Sequence, residues 1–175
     1  MRALLAALAL LAGVLITPPA HAAADTNLAA GKNATASTVH DVYRAANVTD
    51  ADQATYWEST SNAFPQWVQI DLGATHTINR VVLKLPTGWP TRTQTLTVQG
   101  STNGTTFTTL LPSATHTFNP AATLTLAGPA TTRHVRITIT ANTGWPAAQL
   151  SEAELWGPAP DTPGDTTNLA LGKTL

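Results

Sequence analysis

Downstream of residue 60 the chain alternates apolar and polar residues with a period of two, and that pattern leaves few architectures open. In QWVQIDL, Val68, Ile70 and Leu72 share one face, and in RVVLKL Val81, Leu83 and Leu85 do the same. QTLTVQ pairs Leu96 with Val98, and TLTL pairs Leu124 with Leu126. RHVRITIT sets Val135, Ile137 and Ile139 against His134, Arg136, Thr138 and Thr140. Successive side chains of a strand point to opposite faces, so each run makes a ribbon with one apolar side. Threonine fills most outward positions, which suits strands rather than helices. Asn103-Gly104, between two alternating runs, is a strong hairpin signal. With Phe107–Leu111 and Glu152–Trp156 added, the chain reads as about eight short strands, the signature of an all-β sandwich.

The chain has no cysteine, so its stability must come from core burial, with a bound metal as a further possible staple. Its first residues, MRALLAALALLAGVLITPPAHAAAD, combine one basic residue, an apolar run and small residues before a cut site. That is a secretory signal peptide over residues 1–24, its apolar run being well short of the roughly 20 residues that span a bilayer. The expected mature chain is secreted and extracellular, and its length of about 150 residues is enough for one domain with a proper core. A net charge of -1 with 11% charged residues offers no basic patch for nucleic acid and no polybasic membrane anchor. The partner expected from this balance is a neutral polysaccharide or glycan, bound by a monomer.

The domain spans residues 25–157, and GPAPDTPGDTT supplies a Pro/Gly/Thr linker over 158–167. After it, Asn168 to Lys173 reads NLALGK, against NLAAGK at Asn27 to Lys32, as though a second copy of the domain begins at 168–175.

Six stretches, taken in order, carry a resemblance: NLAAGKNATAS, AANVTDADQATYWES, FPQWVQIDLG, VQGSTNGTTF, RHVRITIT and QLSEAELWG. Together they resemble discoidin or coagulation-factor V/VIII type C domains, most closely the bacterial branch classed as carbohydrate-binding module family 32. The resemblance implies an eight-stranded antiparallel jelly-roll β-sandwich that binds sugars through loops at one end. Such modules commonly accompany secreted glycoside hydrolases. It also implies a structural calcium. Carried over position by position, the ligands are the carboxylates of Asp50 and Glu154, the hydroxyl and carbonyl of Thr55, and the backbone carbonyls of Asn47, Asp52 and Ala153. Read as residues alone, Asp50 and Asp52 fit a turn or cap better than a metal site, and it is the resemblance that reverses the weighting. The chain departs from the family pattern at Ala51 and Asp52, where Gly then Asn is usual, so a positive φ at Ala51 would strain the turn.

Two tetrapeptides read TGWP, at Thr87–Pro90 and Thr143–Pro146, and their Gly and Pro place both tryptophans in loops. In an antiparallel sandwich the strands ending at Leu85 and Thr140 run the same way, so both loops leave one end. The long polar segment 38–66 enters the Trp67 strand from that end too. His40, Tyr43, Glu58, Trp89, Arg92, Asn142 and Trp145 therefore gather there as candidate sugar-binding residues, rings for the apolar faces of a pyranose and polar groups for its hydroxyls. Trp145 also fits a structural lid, while Trp57, Trp67 and Trp156 read as core or closing residues. A glycosidase needs two carboxylates across a cleft, and the sequence offers no such pair and no nucleophile motif. The expected protein is a secreted, non-catalytic carbohydrate-binding module that targets an attached or partner glycoside hydrolase to a polysaccharide. The alternative is an adhesion module taking a protein or lipid head group through the same loops.

Overall fold

A computed structural model describes residues 24–159. Apart from Ala24 at one edge and Pro158 and Ala159 at the other, the expected signal peptide, linker and second copy lie outside them. The strands in chain order are β1 (Asp25–Asn27), β2 (Asn33–Ala36), β3 (Trp57–Glu58), β4 (Gln66–Lys84) and β5 (Arg92–Ser101). Then follow β6 (Thr108–Phe118), β7 (Ala121–Asn142), β8 (Gln149–Leu150) and β9 (Glu152–Pro158). The remaining element among the described residues is a 3-10 turn at Ala45–Val48, and every strand pair is antiparallel.

The runs QWVQIDL and RVVLKL, expected as separate strands, are the two halves of β4, and TLTL and RHVRITIT are the two halves of β7. β4 and β7 pair along both halves, from Gln66 opposite Ile139 to Lys84 opposite Ala121. Between them the ladder breaks, with register shifts at Asp71/His76 and Ile78/Arg80. At that break the ribbon folds over. The first half of β4 and the second half of β7 join β2, β5 and β6 in one layer, and the other halves join β9 and β1 in the second.

The break also resets side-chain parity, as an extra residue in one strand must. Val68, Ile70, Leu72 and Ile78 face inward on even positions, then Val81, Leu83 and Leu85 on odd ones. β7 makes the matching switch, from Ala122, Leu124 and Leu126 to Val135, Ile137 and Ile139. All of these belong to one hydrophobic core with Leu96, Val98, Phe118, Leu150 and Leu155. Fully burying each such side chain stabilises the fold by about 1.5–3 kcal/mol, set against the entropy of ordering it. At the bend, Gly73 takes a φ of 84° and its N–H donates to Asp71 Oδ1. Arg133 of β7 grips the same carboxylate with two bonds of 2.8 and 2.9 Å, which hold the Asp71 pKa well below the usual carboxylate range.

Trp57 is fully buried in the core, as its sequence context suggests. Trp67 and Trp156 are not core residues. Both point to the outer faces, half-buried, with the guanidinium of Arg136 lying 4.5 Å from one ring and that of Arg80 4.9 Å from the other. The same alternation that buries Val68 and Leu155 turns the adjacent tryptophans outward, and stacked arginines then cover them.

Gly157 lies opposite Thr26 on β1, and a Cβ built there would sit 2.0 Å from the Thr77 carbonyl oxygen. Gly157→Ala is expected to cost about 1–3 kcal/mol of stability, since backbone must move to accept it. Gly128→Ala, where the added Cβ meets nothing within 4 Å, should leave the thermal midpoint unchanged. Thermal melts of the two variants against the parent check this.

Candidate functional site

β3 and β8 form a two-rung ribbon, Trp57 opposite Leu150 and Glu58 opposite Gln149. Alternation sends Trp57 and Leu150 into the core, so Glu58 and Gln149 take the other side together. There they form the floor of an open cleft of about 410 Å3 at the end of the sandwich. Gln149 Nε2 donates to Glu58 Oε2 at 2.7 Å, and Gln149 Oε1 accepts from Arg92 at 3.0 Å. Trp145 Nε1 donates to Glu58 Oε1 at 3.2 Å, while His40 Nδ1 lies 3.4 Å from the same oxygen.

The walls are aromatic. The rings of Tyr43 and Tyr56 stack at 4.4 Å, Tyr56 meets Trp89 edge-on at 4.8 Å, and the Arg92 guanidinium lies 4.6 Å from the Trp89 centroid. Burial, together with the neighbouring Tyr43, pushes the Tyr56 pKa above its ordinary value, so its hydroxyl stays a donor across the neutral range. Burial also pulls the Arg92 pKa down. The long segment is fixed to this floor by backbone bonds, His40 N–H to the Glu58 carbonyl at 2.8 Å and Glu58 N–H to the Tyr43 carbonyl at 3.2 Å. Trp57 Nε1, reaching from the core, holds the Thr38 carbonyl at 2.9 Å.

Six of the seven residues proposed for sugar contact line this cleft: His40, Tyr43, Glu58, Trp89, Arg92 and Trp145. The two TGWP loops meet there because the folded ribbon brings the ends of β4 and β7 back to the same side. Trp145 sits on the rim with half its surface exposed, rather than under a loop as a lid. Asn142 does not line the cleft. Its amide donates to the Ala147 carbonyl at 2.9 Å and its Oδ1 accepts from Gly144 N–H, so it shapes the loop that carries Trp145. Tyr56, Gln149, Pro90 and Gly144 line the cleft and were not anticipated. Alternation about Trp57 offered one signal, since a buried Trp57 places Tyr56 on the same side as Glu58.

The Asp50 turn lies outside this cleft. Asp50 Oδ1 accepts from Asp52 N–H at 2.9 Å, Asp50 Oδ2 from the Thr55 hydroxyl at 2.7 Å, and Asp52 Oδ1 from Ala54 N–H at 2.9 Å. Asn47 turns its amide to the Tyr56 carbonyl at 2.9 Å. Ala51 does adopt a positive φ, 65°, the conformation that the usual glycine would take without strain. Glu154, carried over as a ligand, does not face this turn. It pairs with Lys84 Nζ and accepts from Trp156 Nε1 at 2.8 Å, while Ala153 packs in the core opposite Leu83. The carboxylate beside Asp50 is that of Glu152, two residues earlier on the same strand face. Glu152 is 5% exposed, its Oε1 is buried without a hydrogen-bond partner, and burial plus the nearby Asp50 charge raise its pKa to about 7. No cluster of three or more His, Cys, Asp or Glu occurs among the described residues. Calcium does not require one, because hydroxyl and carbonyl oxygens complete its shell. An orphaned buried carboxylate oxygen on Glu152, beside an Asp50 that is itself bonded to Thr55, fits such a cation.

The fold is a galactose-binding-like β-sandwich, and the chain belongs to the F5/8 type C domain family, whose model matches residues 33–153. No curated protein matches it. Among solved structures it is similar to chitosan-binding module 1 of a chitosanase/glucanase from Paenibacillus sp. IK-5, at 28% identity and a TM-score of 0.65, covering 75% of this chain and 99% of that one. Chitosan-binding module 2 of the same enzyme, in complex with chitotriose, gives 26% identity and a TM-score of 0.64, covering 75% and 100%. The family 32 carbohydrate-binding module of C. perfringens NanJ, in complex with galactose, shares the fold at 19% identity and a TM-score of 0.68, covering 76% and 99%.

Glu152 also sets a pH dependence for the protein freed of divalent cations. Its folded-state pKa of about 7 stands above the ordinary 4.5, so the folded state holds the proton more tightly than the unfolded one. Stability should therefore fall as pH rises from about 4.5 through about 7, by no more than about 3 kcal/mol. Urea unfolding across that window checks the slope, and Glu152→Gln should flatten it.

Proposed function

We propose that this protein is a secreted, non-catalytic carbohydrate-binding module that holds a glycan in the Glu58–Trp145 cleft and brings an attached or partner glycoside hydrolase to its polysaccharide. The observation that carries the reading is the cleft itself, a shallow floor of fixed hydrogen-bonding groups walled by aromatic rings. Apolar ring faces take the flat side of a pyranose, and Glu58, Arg92 and His40 offer acceptors and donors to its hydroxyls. The two chitosan-binding relatives support a glycan ligand. Among the described residues Glu58 is the sole carboxylate lining the cleft, whereas glycoside hydrolysis needs two. The sequence of residues 1–24, which reads as a signal peptide, supports export.

Trp145→Ala and Trp89→Ala are each expected to weaken retention on an insoluble polysaccharide by about 10-fold, since a ring stacked on sugar contributes on the order of 1 kcal/mol or more. Affinity electrophoresis against a polysaccharide panel measures this. Retention of both variants at the parental level would remove the cleft as the glycan site.

The same reading includes a structural calcium at the Asp50 turn, held by the Asp50 and Glu152 carboxylates with oxygens of Asn47, Asp52 and Thr55. Its charge would neutralise Glu152, and a cation that binds only the folded state stabilises it, by about 2.7 kcal/mol at 100 times its Kd. Chelation should lower the thermal midpoint of the parent and of Glu154→Gln, and leave Glu152→Gln unchanged. An equal response of all three proteins would sink the assignment.

A further inference from the structure

The cleft holds two oppositely charged side chains that do not meet. Glu58 accepts from the Gln149 amide and the Trp145 indole, whereas the Arg92 guanidinium donates to the Gln149 side-chain oxygen. Gln149 thus stands between anion and cation, donating to one and accepting from the other. It is only 3% exposed, and its backbone is pinned on both sides by the buried Gln94 amide, at 2.9 and 3.3 Å. A shorter or more mobile residue would let Arg92 close onto Glu58.

Glu58 is 5% exposed. Among the described residues, the one basic atom within ion-pair distance of it is His40 Nδ1, on a ring more than half exposed. Taking a carboxylate out of water without a fixed cation is costly, and a ligand that supplies the cation recovers part of that cost. The aromatic rings beside it add attraction for a positive group. Arg92 already covers Trp89, which leaves the Glu58 and Trp145 side of the cleft for the ligand's charge. Overall composition points to a neutral sugar, but this local arrangement does not.

We propose that the cleft selects an amino sugar with a free, protonated amino group, Glu58 receiving the ammonium and Gln149 acting as the positioning residue that keeps Arg92 from neutralising Glu58. The inference rests on the glycan-binding reading and narrows it to one sugar class. N-acetylation of the same sugar removes the charge and keeps the ring, so it isolates the interaction.

The test is calorimetric titration of the protein with four oligomers at one ionic strength and at a pH where the amine is protonated. These are a glucosamine trimer, its fully N-acetylated form, a glucose trimer and a uronic acid trimer. The glucosamine trimer is expected to bind about 10-fold tighter than its acetylated form, as an ion pair supported by aromatic rings requires. In Glu58→Gln, checked for folding by thermal melt, that ratio should fall to about one. Gln149→Met should collapse the ratio in the same way, and adding Arg92→Gln to it should restore the preference, a rescue that a purely structural glutamine would not show. Equal or tighter binding of the acetylated or neutral trimer overturns the inference and leaves the glycan reading standing. So does tightest binding of the uronate, which would make Arg92 the reader. Failure of all four trimers to bind, with no polysaccharide retained, removes both.

Discussion

β4 and β7 share one antiparallel ladder that doubles back on itself, and both layers of the sandwich are built on its two halves. The fold-over needs three things in one place: unpaired residues in both strands, a parity switch, and a clamp across the bend. The register shifts supply the first two, and the Arg133–Asp71 pair with Gly73 supplies the third. Because the ribbon returns to where it began, the loops that follow β4 and β7 emerge side by side although they leave different layers. The cleft is a consequence of that return.

Within the cleft the polar groups are arranged by packing rather than by their own chain neighbourhood. Trp57 and Leu150 anchor a two-rung ribbon in the core and thereby aim Glu58 and Gln149 at solvent. The irregular segment that brings His40 and Tyr43 is bonded to that ribbon through Glu58's own backbone. Gln94, buried on β5 in the other sheet, fixes the Gln149 backbone. The groups that would meet a ligand are thus fixed by one another and by buried residues beneath them, which is what a preorganised site requires.

Much of this was legible in the sequence, for physical reasons that also mark where legibility stopped. Period-two alternation identified the inward faces correctly, Val68 through Ile139, because burial of one face is what makes a strand alternate. It did not reveal that two pairs of strands are continuous, because a bend made by bulging leaves no hairpin signal. Strand counting brought both TGWP loops to one end. The apolar run beside Trp67 suggests a core residue and the strand end at Trp156 a closing one, whereas parity turns both rings to the outer faces, where stacked arginines cover them. The choice between Glu152 and Glu154 was invisible for a related reason: both share one strand face, and what separates them is which one the Asp50 turn covers. Gln149 opens the QLSEAELWG stretch, but nothing in that stretch shows its side chain's place, which is set by a cross-strand partner ninety-one residues away.

The first and last strands of the described domain, β1 and β9, lie side by side, with Asp25 opposite Pro158 and Ala159 N–H bonded to the Ala24 carbonyl at 3.4 Å. Gly157 packs on Thr77, near the bend of the ribbon, so both ends of the described domain lie at the end remote from Trp89 and Trp145. The ends of the described domain and the cleft thus occupy opposite poles of the same sandwich, and the β1–β9 edge leaves the mouth of the cleft clear.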